Sequence, residues 1–269
     1  MEKFKLGIIG YGNMAGAILN GILKANIIEK ESILVCDVDS DKLNILDQKI
    51  SSTTNNQLVF DKCKYVLLAV KPQMFDKLQN AEKYTTSAKA IISIMAGKNI
   101  STIKNKFIEK PTVVRIMPNT PCLVSQGMSG LVFDDTSDHE LIEFVKSIFN
   151  SIGKTMLITE NQIDNVSSIS GSGPAYSYMF VNSLIKAGID IGLTFDEAKL
   201  LTTQTIQGSL KMLEDVSSTE DIDVLTDRVC SKGGSTIEAV KHLQNNDFDK
   251  IICDAINKCK QRNIELSKI

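Results

Sequence analysis

Lys5-Leu6-Gly7-Ile8-Ile9-Gly10-Tyr11-Gly12-Asn13-Met14-Ala15-Gly16 is the stretch whose reading decides the fold. Its short apolar run, Lys5 to Ile9, predicts a strand, and Gly10-Tyr11-Gly12 predicts a tight turn. Met14, Ile18, Ile22 and Leu23 then share one face of a helix. Residues 10–15 fit G-x-G-x-x-G/A, a pattern that carries meaning only between a strand and a helix, which is where it stands here. Gly10 permits the turn, and Gly12 lets the backbone approach a pyrophosphate at the helix N-terminus.

Working outward, Ile33 to Cys36, Tyr65 to Val70, Ala90 to Ile94 and Thr112 to Met117 read as further strands, with a helix expected over Asp41 to Ile50. These runs are apolar on both faces and alternate with helices, which predicts a parallel sheet covered on both sides. Asp37 ends the second strand, about 25 residues after Gly12, where a carboxylate accepts hydrogen bonds from the adenosine ribose hydroxyls and repels a 2′-phosphate. A solvated loop acid is the alternative, since Asp39 and Asp41 crowd the same loop. No Arg occurs between Met1 and Lys110, so the usual planar partner for a 2′-phosphate is missing. The expected cofactor is therefore NAD(P)H, leaning to NADH.

Beyond about Glu160 the strand-like runs stop. Tyr176 to Ile191, Phe195 to Leu213, Ile237 to Leu243 and Ile251 to Leu266 carry helical apolar faces. We expect an α/β chain: a Rossmann-type parallel-sheet domain over residues 1–161, then an all-helical dimerisation domain over 162–269. The helical half holds more apolar surface than about 108 residues readily bury alone.

Composition excludes several classes. Lys and Arg number 30 against 32 Asp and Glu, a net charge of −2 that does not suit binding of nucleic acid or of an anionic membrane surface. The six cysteines form no C-x-x-C pair and have no histidine at metal-ligand spacing, so neither a metal site nor a disulfide framework is expected. No signal-peptide pattern or membrane-length apolar run is seen, and a cytoplasmic location is expected.

Only His139 and His242 could serve as a neutral-pH base, and both read as ordinary surface or interhelical residues. Reduction of an iminium avoids that requirement. Its carbon is already electrophilic, so hydride delivery needs orientation more than proton transfer. Ser231-Lys232-Gly233-Gly234-Ser235-Thr236, just before a helix, offers N–H groups and a helix dipole to a small substrate's carboxylate. A plain interhelical turn is the other reading.

Five ordered elements resemble the pyrroline-5-carboxylate reductase family: Gly10-x-Gly12-Asn13-Met14, Ala69-Val70-Lys71-Pro72, Met117-Pro118-Asn119-Thr120-Pro121, Ser170-Gly171-Ser172-Gly173-Pro174-Ala175-Tyr176, and residues 230–240 from Cys230 to Val240. The resemblance covers essentially the whole chain. It implies reduction of Δ1-pyrroline-5-carboxylate to L-proline by a nicotinamide cofactor, the last step of proline biosynthesis. Gly12, Asn13 and Met14 would lie against the pyrophosphate, Asn56 against the adenosine half, and Ala69, Val70, Lys71 and Pro72 along the path to the nicotinamide. Ser231, Gly234, Ser235 and Thr236 would hold the substrate, with the Thr236 hydroxyl near the ring nitrogen as the catalytic group. A homodimer, in some members assembled further, would complete each pocket from its partner's helical domain.

Two positions depart from the family. Lys232 stands where Ser-Pro-Gly-Gly is usual, which frees φ and restores an N–H. Asp37 stands where many relatives carry small or hydroxyl residues and use NADPH. A β-hydroxyacid dehydrogenase shares the layout, but Lys186 is the only lysine on its long helix and lies well past the Ser-Gly turn. A dinucleotide sensor would bind cofactor without turnover, and the carboxylate-loop candidate counts against it.

Overall fold

In the computed structural model, the described residues are 3–79, 82–134, 136–215 and 222–266. One sheet of eight strands runs in the order β3-β2-β1-β4-β5-β6-β7-β8. The strands are β1 (Phe4–Ile9), β2 (Ile33–Cys36), β3 (Ser51–Thr53), β4 (Cys63–Leu68), β5 (Ala90–Ser93), β6 (Thr112–Met117), β7 (Gly127–Phe133) and β8 (Gly153–Leu157). The helices against the sheet are α1 (Asn13–Lys24), α2 (Ser40–Leu43), α3 (Asn56–Lys62), α4 (Ile100–Lys106), α5 (His139–Asn150) and α6 (Ile163–Val166).

The alternation of side chains along each strand builds two cores. Leu6, Ile8, Tyr65, Leu67, Ile92 and Val114 point to the face packed by Ile18 and Ile22 of α1 and by Phe144 and Ile148 of α5. Ile9, Leu34, Val66, Leu68, Ile91 and Val113 point to the other, where Val59 and Phe60 of α3 and Ile103 of α4 close over them. Strands buried on both faces need the continuous apolar text that the sequence supplies.

Two features differ from the sequence reading. β7 pairs antiparallel with β6, and β8 then pairs parallel with β7, so the sheet is mostly rather than wholly parallel. β7 carries glycines at 127 and 130 inside the strand, and β8 has an exposed face, and each hides the strand signal. The helix expected over Asp41 to Ile50 is one turn, α2, capped by Asp39 through its bond from the Asp41 N–H at 3.1 Å.

The chain forms two compact units: one runs to Pro174 and takes in the segment from Cys259, and the other spans Ala175–Lys258. The boundary expected from sequence fell at 161/162. Residues after it join the sheet unit for physical reasons: Ile163 is buried in the second core, and a π-helical turn, Ser167–Gly171, follows α6. Ser168 Oγ accepts from Asn263 Nδ2 at 3.2 Å, which ties the C-terminal segment to that turn.

The second unit holds most of α7 (Gly173–Asp190), then α8 (Phe195–Asp215), α9 (Ile222–Val229), α10 (Ser235–Asn245) and most of α11 (Phe248–Leu266). Ile185, Gly188 and Ala198 are buried in it, whereas Tyr178, Met179, Phe180, Ile191, Leu200 and Met212 are exposed. An apolar surface of this extent on a helical unit marks an association face.

Candidate active site and cofactor cleft

The glycine turn sits where β1, β2 and β4 end together. Gly10 N donates to Cys36 O at 2.8 Å, and Ala69 N to Ile9 O at 2.8 Å. Gly10 has φ +91, and a Cβ there would stand 2.8 Å from Ala69 O, so both its conformation and its neighbour require glycine. Gly12 is the N-cap of α1, without a side-chain cap and without an acidic residue in the first turn. The first N–H groups of α1 therefore face outward for an anionic ligand.

Beside this turn lies a cleft of about 250 Å³, and Gly10, Gly12, Asp37, Asn56, Ala69, Val70 and Lys71 all line it. Asn13 and Met14 form the first turn of α1 rather than the cleft wall. Pro72 lines a second cavity, of about 320 Å³, where the ends of β4, β5 and β6 meet.

Asp37 is 7% exposed. Its Oδ2 accepts from Tyr11 N at 2.7 Å and its Oδ1 from Asp39 N at 2.9 Å, with Lys42 Nζ 3.4 Å from each oxygen. Burial alone would raise its pKa, but the two backbone N–H bonds and Lys42 outweigh that and hold it below the usual carboxylate value. The group is thus a fixed negative charge. Each oxygen accepts one short backbone bond, and the longer Lys42 contacts take the remaining positions.

Asn56 is oriented by two bonds. Its Nδ2 donates to Leu78 O at 2.9 Å, and its Oδ1 accepts from the Cys36 thiol at 3.2 Å. Burial, aided by the charge of Asp37, pushes the Cys36 pKa up to about 12, so the thiol keeps its proton and acts as a donor.

In the second unit, residues 231–236 form a turn at the start of α10. Gly234 N donates to Ser231 O at 3.0 Å, and Gly233 has φ +74. A positive φ at the third position of a closed four-residue turn is the signature of type II. Gly234 N-caps α10 without a side-chain bond. Ser231, Lys232, Ser235 and Thr236 are exposed. The turn therefore presents bare helix N–H groups flanked by hydroxyls, a suitable cradle for a carboxylate.

Asn119 joins two of the sequence motifs: its Nδ2 donates to Ser170 O at 3.0 Å, and its Oδ1 accepts from Met128 N at 2.9 Å. The motif at 117–121 is thereby fixed to the π-helical turn that opens the motif at 170–176.

Comparison with known proteins settles the family. A model described as pyrroline-5-carboxylate reductase dimerisation matches residues 160–266, and one described as NADP oxidoreductase, coenzyme F420-dependent, matches residues 5–97. The pyrroline-5-carboxylate reductase of Pasteurella multocida is 33% identical over 278 residues, covering 100% of both chains. The chain belongs to the pyrroline-5-carboxylate reductase family. A pyrroline-5-carboxylate reductase from Coxiella burnetii matches its fold with a TM-score of 0.85 at 30% identity, over 100% of each chain. The Plasmodium falciparum pyrroline carboxylate reductase, solved with NADP bound, matches with a TM-score of 0.83 at 31% identity, over 99% of each.

For a pyrroline-5-carboxylate reductase, some parts of the site left no mark in the sequence. The Leu78 carbonyl that holds Asn56 stands 22 residues away and acts through its backbone. Met74, Lys77 and Leu78 line the same cleft as Asn56, from the 3₁₀ turn that Pro72 opens and from its C-cap. A proline at that turn's start was the available signal.

Proposed function

We propose that the chain reduces Δ1-pyrroline-5-carboxylate to L-proline by hydride transfer from NAD(P)H, the last step of proline biosynthesis. The observation that carries this reading is the full-length likeness to pyrroline-5-carboxylate reductases, supported by the uncapped α1 N-terminus beside the cleft. In it the pyrophosphate lies against Gly10, Gly12, Asn13 and Met14, the adenosine half near Asp37 and Asn56, and the nicotinamide path along Ala69, Val70, Lys71 and Pro72. Ser231, Gly234 and Ser235 take the substrate carboxylate, and the Thr236 hydroxyl meets the ring nitrogen. NAD(P)H supplies the hydride. The chain's part is to orient the two reactants and to hold the cofactor's pyrophosphate and the substrate's carboxylate.

The finer cofactor choice is NADH. Asp37 is ionised at neutral pH and lies in the cleft wall, so a 2′-phosphate there meets a charge of its own sign. Lys42 offsets this only in part, being already engaged by Asp37. The working unit is a homodimer formed through the exposed apolar helices of the second unit, in keeping with the dimerisation model. No helix among the described residues is long and apolar enough to cross a membrane. All six cysteines are free thiols, which supports a reducing compartment such as the cytoplasm.

The test is to mix purified protein, NADH and Δ1-pyrroline-5-carboxylate and to follow the absorbance of the reduced nicotinamide. Oxidation that requires both protein and imine supports the reading. Cofactor binding without oxidation makes the chain a dinucleotide sensor instead.

A further inference from the structure

We propose that Arg115 and Glu160 form a positioning pair for the nicotinamide half of the site, an inference that rests on the dinucleotide reading above. Arg115 stands in the middle of β6 and is only 5% exposed. A buried guanidinium is a poor choice for stability alone, because a well-packed apolar pair would serve as well. What it provides instead is a directional contact at one point of the sheet.

The Nη1 of Arg115 donates to Oε1 of Glu160 at 3.3 Å. The same oxygen accepts the Ile100 N–H at 2.7 Å, in the first turn of α4. Glu160 itself opens a 3₁₀ turn, Glu160–Gln162, that Thr159 and Gln162 fix with a capping box. One carboxylate oxygen therefore ties together β6, the start of α4, and the turn that leads into α6.

Of these, β6 lines the second cavity directly, and the turn's continuation into α6 brings Ile163 and Asp164 to its wall. Pro72 of the 3₁₀ turn after β4, Ala96 and Gly97 between β5 and α4, Arg115 and Met117 on β6, and Ser167 of the π-helical turn all line it. In a sheet of this strand order the dinucleotide lies across the C-terminal strand ends, with one half on each side of the point between β1 and β4 where the order reverses. The adenosine half falls on the β1-β2 side, where Asp37 and Asn56 stand. The nicotinamide half falls over β4 and β5, the side that the Arg115–Glu160 contact secures. Loosening this contact should displace the nicotinamide and leave the adenosine pocket as it is.

The test uses the full-length protein with Arg115→Gln, Glu160→Gln and the conservative Arg115→Lys. Glu160→Gln keeps an oxygen for the Ile100 N–H, so it preserves the fold while removing the charge. Three quantities are measured: kcat with NADH and pyrroline-5-carboxylate, the isotope effect with NADH deuterated at C4, and the Kd values of NADH and of ADP-ribose, a probe of the adenosine half alone. In both Gln variants kcat should fall roughly 10- to 100-fold, the range set by misplacement of reacting atoms. The isotope effect should rise as hydride transfer becomes slower than the other steps. ADP-ribose affinity should stay within about twofold of the unmodified protein while that of NADH falls, and Arg115→Lys should recover part of the loss. Unchanged kcat, or ADP-ribose and NADH affinities falling in step, would overturn the proposal. The two Kd values need no turnover, so they decide the matter even if the unmodified protein fails to reduce the imine, an outcome that would remove the functional reading instead.

Discussion

The backbone N–H of Tyr11 donates to Oδ2 of Asp37 across 2.7 Å, so the glycine turn and the end of β2 share one carboxylate. The residue expected to read the ribose is therefore also a clip on the glycine turn. Substitution at Asp37 must act on both halves of that job.

Asp37→Ser should lower kcat/KM for NADH and raise the NADPH to NADH ratio of kcat/KM by roughly tenfold or more, since the repelling charge is lost. Some loss with both cofactors is expected as well, because the Tyr11 N–H loses its charged acceptor. Measurement of both cofactors at one ionic strength checks this, and a ratio that does not move removes Asp37 from cofactor choice.

The lowered pKa of Asp37 has a definite consequence with pH. Its folded-state pKa lies below the unfolded value, so its stabilisation is fully present above about pH 4 and is lost as pH falls through the folded pKa. Asp37→Asn should destabilise the protein by about 1.5 kcal/mol at pH 7, the scale of a hydrogen bond to a charged group. That difference should shrink as the medium is acidified below about pH 4. Denaturant midpoints for both proteins at several pH values provide the check. A gap that widens in acid would contradict the role described.

Lys232 occupies the second position of the turn closed by the Gly234 N–H bond to Ser231 O, with Gly233 at φ +74 in the third. Proline is favoured at the second position of a type II turn. Lys232→Pro should raise stability by about 0.4 to 1 kcal/mol through the unfolded state and leave kcat/KM intact or improved. Thermal unfolding with parallel kinetics tests it. A lower melting temperature would mean that the turn has another backbone geometry.

Thr236→Val keeps the side-chain shape at an exposed position in the first turn of α10. Turnover should fall roughly 10- to 100-fold with the fold retained, the worth of one hydroxyl in positioning or in the transition state. Equal kcat/KM in the two proteins would take Thr236 out of the site.

The first half of the fold was legible because its strands are apolar on both faces and its turn opens on a glycine that nothing else could replace, as the 2.8 Å approach of a Cβ at Gly10 to Ala69 O shows. β7 and β8 were not legible. β8 is an edge strand with exposed Met156 and Leu157, so burial did not shape its text as it shaped β4. The sequence predicts a longer helix than the one-turn α2 because the apolar spacing of Leu43, Leu46 and Ile50 imitates a helical face. Among the candidate site residues, the glycines, Asp37 and the Ser-Gly turns announced themselves through residue type. The bonds that orient Asn56, and the Arg115–Glu160 contact, join residues 20 to 45 positions apart and leave no local periodicity to read.

The measurement closest to the central claim follows the hydride itself. NADH deuterated at C4 on the transferred face is incubated with the protein and Δ1-pyrroline-5-carboxylate, and the product is examined by mass spectrometry and NMR. The account predicts proline formed in equal amount to the NADH oxidised, with deuterium on the ring carbon bonded to nitrogen and distant from the carboxylate. Absence of proline, or deuterium at any other carbon, would contradict it.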